Sequence, residues 1–200
     1  MKSKIILIRH GETVWNREGR KQGHGDSELT AKGKQQAKAI GKTLLNSGLL
    51  DDEYQVVCSP LGRTRSTAEI ICAQAQIPSD KIRFEKLLME SDHGDWEGMT
   101  ASEIEAKYPG QMDERRRDHW NYRFPSGESY ADLMIRVDRW LGAGKMEGTT
   151  IVVTHDMMSR VIRKQLLRRS VNECLSLKHN QNEYFILSDG CVLRQQADVD

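Results

Sequence analysis

The stretch Ile5-Ile6-Leu7-Ile8-Arg9-His10-Gly11-Glu12-Thr13 decides how the rest of the chain is read. Four branched apolar residues in a row have the pattern of a strand buried on both faces. They run directly into Arg-His-Gly. In an open α/β sheet, ligands bind just beyond the carboxyl ends of the strands, so His10 stands where chemistry is expected. Arg9 adds a permanent planar cation that suits a phosphate. Gly11 is expected to permit an unusual turn and the close approach of a ligand to the backbone. On this reading His10 is a nucleophile toward a phosphoryl group, and the remaining chain must supply the other parts of such a site.

Working outward, strands and helices alternate. Residues 4–8 form the first strand, and Arg9 to Leu29 is a polar segment punctuated by Gly11, Gly19, Gly23 and Gly25. Irregular connections of that length are often functional. Thr30 has the character of a helix N-cap, with Ala37, Ile40, Gly41, Leu44 and Leu45 at helical spacing behind it. A second strand is expected over Tyr54–Cys58, then a helix from Leu61 to about Gln74 that Ser59 caps and Pro60 begins. A third strand is expected over Ile82–Leu87, a helical piece over 101–108 and one or two helical turns within 111–124. Gly127-Glu128-Ser129 opens a helix through Leu141. Thr150–Thr154 is the next strand, and a helix from Asp156 to Leu167 follows His155. Tyr184–Leu187 and Cys191–Arg194 read as a hairpin around Ser188-Asp189-Gly190. The alternation predicts an α/β fold: three α/β/α layers with a mixed, mostly parallel central sheet. No repeat or linker divides residues 1–200, so one domain is expected.

Bulk properties exclude several classes. Charged residues make up 30% of the 200, yet the formal net charge is only +1. A nonspecific nucleic-acid binder shows a strong basic excess, so no nucleic-acid partner is expected. Mean hydropathy is −0.65, and no apolar run approaches the ~20 residues of a membrane span. Met-Lys-Ser-Lys enters the first strand at once without a signal-peptide pattern. A cytoplasmic protein with no membrane partner is expected. Cys58, Cys72, Cys174 and Cys191 make no C-x-x-C pair and no metal-type cluster, so reduced, mostly buried thiols are expected.

Two strands end in a histidine, His10 and His155, which could place both rings over one edge of the sheet. Arg63 lies in the first turn of a helix whose N-terminus already attracts anions. Arg65, on the other side of that helix, is expected to be solvated or salt-bridged. A leaving alcohol needs an acid. Glu12, Glu90, Asp95, Glu97 and Glu128 compete for that role, and Glu90 stands closest behind a strand end.

These residues resemble a known family. Arg9-His10-Gly11-Glu12-Thr13 with Asn16 and Gly23 is similar to the signature of the histidine phosphatase superfamily, also called the phosphoglycerate mutase-like family. Ser59-Pro60-Leu61-x-Arg63-Thr64, Leu88-x-Glu90 with Gly94-Asp95-Trp96-Glu97-Gly98, Gly127-Glu128-Ser129 and Thr154-His155 follow in order, so the resemblance spans about residues 3–190. The resemblance implies that His10 becomes a phosphohistidine. Arg9, Arg63 and His155 would hold the phosphoryl oxygens, helped by Asn16, Gln22 and Gly23. Glu90 would protonate the leaving oxygen and then activate water. No metal and no cofactor is expected, because the arginines supply the charge a magnesium ion otherwise would. Glu12 then becomes a loop scaffold, and Trp96 packs under a loop.

Within that family, mutases usually carry a long insertion before the Gly-Glu-Ser block and Gly-Asn after the second histidine. This chain has a modest segment there and Asp156-Met157 instead. A phosphatase acting on a small anionic phosphate ester is therefore expected, with a phosphotransferase (mutase) or a noncatalytic phospholigand-binding protein as alternatives. The oligomeric state stays open between monomer and homodimer. Tyr122-Arg123-Phe124-Pro125-Ser126-Gly127-Glu128-Ser129-Tyr130 is similar to the domain that removes the 2-phosphate of fructose 2,6-bisphosphate. An ungapped match to it puts Arg115, Tyr130 and Arg160 on its second-phosphate residues. His119 stands for a lysine, Asp156 for a glutamine and Ala101 for a tyrosine, so that pocket is only partly kept. Asp156 either caps its helix or meets a substrate hydroxyl or amine. The run Arg115-Arg116-Arg117 is a solvated helix face or a lid.

Overall fold

In the computed structural model, residues 3–50, 53–143 and 148–198 are described. Six strands form one sheet in the order β3-β2-β4-β1-β5-β6. They are β1 (Lys4–Arg9), β2 (Tyr54–Cys58), β3 (Ile82–Phe84), β4 (Thr149–Thr154), β5 (Glu183–Ser188) and β6 (Cys191–Gln196). β1, β2, β3 and β4 run parallel, while β5 lies antiparallel to β1 and β6 antiparallel to β5. The C-terminal hairpin thus makes the sheet mixed, as the turn residues at its tip predict.

Helices cover both faces because strand side chains alternate. Ile6 and Ile8 of β1, Val56 and Cys58 of β2, and Ile151 and Val153 of β4 point to one side. There they bury Ala37, Ile40 and Leu44 of α2 (Ala31–Asn46) and Ala68, Ile71 and Cys72 of α3 (Gly62–Gln74). Ile5, Leu7, Val57 and Val152 point to the other. They pack on Leu133, Val137 and Trp140 of α6 (Tyr130–Gly142) and on Met158, Val161 and Ile162 of α7 (Asp156–Leu166). The three-layer α/β/α reading holds. Among the described residues no helix is long and apolar enough to cross a membrane.

Register positions the site. Arg9 of β1 is level with Thr154 of β4, and Cys58 of β2 with Val153. His10 and His155 are therefore each the first residue past aligned strand ends, with Ser59 beside them. The His10 N–H donates to the Thr154 carbonyl at 3.0 Å, and the Ser59 N–H to the Val153 carbonyl at 3.0 Å.

Three expectations need correction. The third strand stops at Phe84: the Glu85 side chain accepts from the Leu87 N–H at 3.0 Å and bends the chain into a 3₁₀ turn over Lys86–Leu88. Ser59 does not cap α3. Leu61 is extended and stands at the N-cap without a side-chain hydrogen bond, which leaves Pro60 outside the helix. Arg65 is exposed, as expected, with its guanidinium 4.1 Å over the Phe84 ring and Nε donating to the Pro60 carbonyl. Gly11 does not have a positive φ. A Cβ there would meet the Gly33 carbonyl oxygen at 2.4 Å, so this glycine admits the start of α2 rather than a turn.

Two helices were missed. Thr13 and Asn16 form a capping box that starts α1 (Val14–Glu18) inside the polar segment, and Ser170 with Glu173 does the same for α8 (Val171–Ser176).

Candidate active site

A cleft of about 300 Å³ opens over the carboxyl ends of β1 and β4. Arg9, His10, Asn16, Gln22, Gly23, Arg63, Glu90, Arg115, His119, Tyr130, Asp156 and Arg160 all line it. Of the residues the resemblance assigns to chemistry or phosphate binding, the cleft brings together all but His155. His155 is fully buried and does not line the cleft. It lies behind His10 with ring centroids 5.3 Å apart, and its Nε2 lies 2.8 Å from the Ser59 hydroxyl.

His10 is buried and oriented. Its Nδ1 lies 2.8 Å from the Gly11 carbonyl oxygen. A carbonyl only accepts, so Nδ1 carries the proton and the lone pair is on Nε2. Burial, then Arg63 and Arg9, hold its pKa well below the usual histidine value. The ring is therefore neutral and nucleophilic at neutral pH.

Arg63 is 2% exposed. Nη2 donates to the Gly23 carbonyl at 2.7 Å, and Nη1 to the Gly25 carbonyl at 2.8 Å and to Asp26 at 3.2 Å. Gly23 thus acts through its backbone, with φ +54 in the left-handed region. Arg9 Nη1 donates to the His179 carbonyl at 2.8 Å. Both guanidiniums retain a buried Nε without a protein partner. Asn16 accepts from Gln181 Nε2 at 2.7 Å, while Gln22 Nε2 is shared between Thr13 and Ser27. Gln22 lines the cleft with its amide donors held by Thr13 and Ser27.

Glu90 is the buried carboxyl of the cleft. It accepts from the N–H groups of Ser91 at 3.0 Å and of Met157 and Met158 at 3.2 Å. Burial raises its pKa, the negative charge of Asp156 adds to that, and these N–H groups and Arg63 oppose it. A carboxyl whose pKa burial raises is suited to a general acid. The rival carboxylates are engaged elsewhere. Glu12 accepts from the Thr30 hydroxyl and pairs with Lys32. Glu97 holds the N–H groups of His24 and Gly25. Asp95 does not line the cleft.

Glu128 pairs with Arg136 at 2.8 Å. Arg136 in turn grips the carbonyls of Leu87, Met89 and Glu90, so the Gly-Glu-Ser block positions Glu90.

The cleft also carries Arg115, Arg160, Lys21, His119 and Tyr130. Arg160 meets Asp156 at 2.6 Å, and Arg115 lies 5.2 Å over Phe124. After α4 (Ala101–Lys107) comes α5 (Gln111–Arg117), and of its arginine run Arg115 turns inward while Arg116 and Arg117 are exposed. Trp96 is fully buried, as expected. Sequence reasoning missed Arg20, Lys21, His93, Phe124 and Met157 as lining residues. For His93 the available signal was its place three residues after Glu90, before a glycine.

A family model described as "Histidine phosphatase superfamily (branch 1)" matches residues 5–188. Phosphoserine phosphatase 1 of Hydrogenobacter thermophilus is 33% identical over 187 residues, covering 92% of this chain and 85% of that protein. The 6-phosphofructo-2-kinase/fructose-2,6-bisphosphatase 1 of Rattus norvegicus is 34% identical over 174 residues, 87% of this chain. The match spans only 35% of that longer relative. A Citrobacter koseri protein named "Probable phosphoglycerate mutase" is 41% identical over 143 residues, covering 70% of this chain and 62% of that one. Among solved structures, a mycobacterial glucosyl-3-phosphoglycerate phosphatase with VO3 superposes with a TM-score of 0.79 at 27% identity, covering 98% of each chain. With the ordered motifs, the three-layer sheet and the cleft between its strand ends, the chain belongs to the histidine phosphatase superfamily.

Proposed function

We propose that the chain is a phosphomonoester hydrolase that works through a phosphohistidine on His10, as one catalytic domain over residues 1–200. Its substrate is a small phosphorylated metabolite with a further anionic group. The observation that carries this reading is the pairing of an oriented His10, its pKa held low by burial and Arg63, with a buried Glu90, its pKa raised by burial, in one cleft.

In the first step His10 Nε2 attacks phosphorus and the P–O ester bond breaks. The Glu90 proton passes to the leaving oxygen, which departs as an alcohol. Arg9 and Arg63 offset the negative charge spread over the phosphoryl oxygens. In the second step Glu90, now a carboxylate, takes a proton from water. That water attacks phosphorus, the P–N bond breaks, and inorganic phosphate leaves with His10 neutral again. His155 packs behind His10, with its Nε2 held against the Ser59 hydroxyl. Arg115, Arg160 and Lys21 support the second anionic group.

The likeness to a mutase-named relative favours a second reading, transfer of the phosphoryl group back to the organic product. Both readings are tested by turnover of p-nitrophenyl phosphate and a panel of metabolite monoesters, beside His10→Ala. The proposal expects free phosphate as product and no turnover in the variant. Transfer between positions of one substrate, without phosphate release, selects the mutase. No turnover by the wild-type protein rejects both.

A further inference from the structure

Resting on that phosphatase reading, we propose that Gln181 is a positioning residue that turns the Asn16 amide so that its N–H, and not its oxygen, meets the phosphoryl group.

Asn16 lines the cleft with Arg9, His10 and Arg63, while Gln181 does not. The two lie 165 residues apart in the chain, yet Gln181 Nε2 donates to Asn16 Oδ1 at 2.7 Å. A second donor settles which atom of Asn16 is which. The Thr13 N–H meets the same Oδ1 at 3.3 Å, and a backbone N–H only donates. With both donors on Oδ1, Nδ2 faces the other way. It spends one N–H on Gln22 Oε1 at 3.4 Å. Gln22 is fixed in turn, because its Nε2 donates to the Thr13 and Ser27 hydroxyls at 2.8 and 3.0 Å. Three amides thus run in one direction, from Gln181 to Asn16 to Gln22, each donating to the next. The second N–H of Asn16 has no acceptor among the described residues and is left for a ligand.

Gln181 can hold this orientation because its own loop is anchored. The Asn180 N–H and side-chain amide donate to Glu183 at 2.8 and 3.2 Å. Glu183 is buried and also accepts from Arg194 Nε at 2.7 Å. His179 Nδ1 lies 2.6 Å from the Ser159 hydroxyl, and the His179 carbonyl holds Arg9. One loop between α8 and β5 therefore sets two residues of the phosphoryl clamp. Support of α1 does not account for Gln181, since the Thr13–Asn16 capping box closes the start of that helix without it. An amide oxygen turned toward the phosphoryl group would oppose its oxygens with lone pairs alone. The flip of Asn16 decides whether this side chain attracts or repels the substrate.

The test measures the KM of p-nitrophenyl phosphate and its competitive inhibition by inorganic phosphate, neither of which depends on the amount of folded protein. Gln181→Met keeps the size and removes the donor. It is expected to raise KM and the phosphate inhibition constant together, by about three- to tenfold, while kcat changes far less. Gln181→Glu keeps the shape but puts an acceptor where the donor was, and is expected to raise both constants further. In an Asn16→Ala background, Gln181→Met is expected to have no additional effect. Constants unchanged in Gln181→Met, a Gln181→Glu no worse than Gln181→Met, or the same loss once Asn16 is already removed overturns the proposal. Failure of the wild-type protein to turn over p-nitrophenyl phosphate overturns the phosphatase reading instead.

Discussion

The carbonyl oxygen of Gly11 lies 2.8 Å from Nδ1 of His10. This contact fixes which nitrogen can react. The ring proton is held on Nδ1 by an acceptor, and the lone pair on Nε2 is left for phosphorus. The same glycine admits the backbone of α2, where a Cβ would meet the Gly33 carbonyl oxygen at 2.4 Å. One residue thus couples helix packing to the orientation of the nucleophile.

Glu90 is expected to matter in proportion to how badly the leaving group needs a proton. Glu90→Gln should lower kcat/KM for alkyl phosphates by about 10²–10⁴. It should lower kcat/KM for p-nitrophenyl phosphate far less, because nitrophenolate leaves unprotonated. Steady-state kinetics on both substrates checks this, and equal losses would remove Glu90 as the acid.

Asp156 should set the alkaline limb of the pH profile. Glu90 acts as an acid only while protonated, so kcat/KM falls as pH rises through its pKa. Burial raises that pKa first, and the charge of Asp156 adds to it. Asp156→Asn removes the charge, so the limb should move to lower pH on the same substrate. A limb that stays in place or moves up would contradict the coupling.

Arg63 serves both chemistry and stability. Its removal leaves the Gly23 and Gly25 carbonyls without their donor in a buried segment. Arg63→Ala should lose about 10²–10³ in kcat/KM and about 2–5 kcal/mol of stability. Arg63→Lys should recover part of the stability but little of the rate, since a point charge cannot replace the fork. Denaturant unfolding beside the kinetics separates the two effects.

Stability should fall on acidification earlier than carboxylate titration alone would produce. Burial holds His10, His155 and His179 neutral with pKa values well below 6.5, and lowers His93 to about 3. Unfolding returns each to the usual range, so the unfolded state binds more protons. Their contribution is complete above about pH 6.5 and is lost as pH drops below it, at about 1.4 kcal/mol per pH unit for each ring that titrates. Denaturant unfolding free energies between pH 7.5 and 5 measure this slope, and a flat profile would contradict it.

Much of this was legible in the sequence because strand ends and helix starts carry local signals. Ile5–Ile8 and Thr150–Thr154 are apolar runs stopping at histidines, and register then places His10 and His155 side by side. The chemistry that depends on long-range contacts was not legible. Ser59 resembles a helix cap, but its hydroxyl faces His155. Gln22 borders the cleft yet spends its donors on Thr13 and Ser27. Glu128 reads as a candidate acid until Arg136 claims it. His93 is one polar residue in a glycine-bearing loop, and only the fold shows its ring buried at the cleft wall. The capping boxes at Thr13 and Ser170 were visible and unread, which cost two short helices.

The central claim is covalent catalysis at Nε2 of His10. Rapid acid-free quench of enzyme turning over a ³²P-labelled monoester, followed by alkaline digestion and phosphohistidine analysis, addresses it directly. The account predicts a base-stable, acid-labile label on Nε2 of His10 that is absent from His10→Ala. A label on another residue, a label persisting in His10→Ala, or full turnover with no label at all would contradict it.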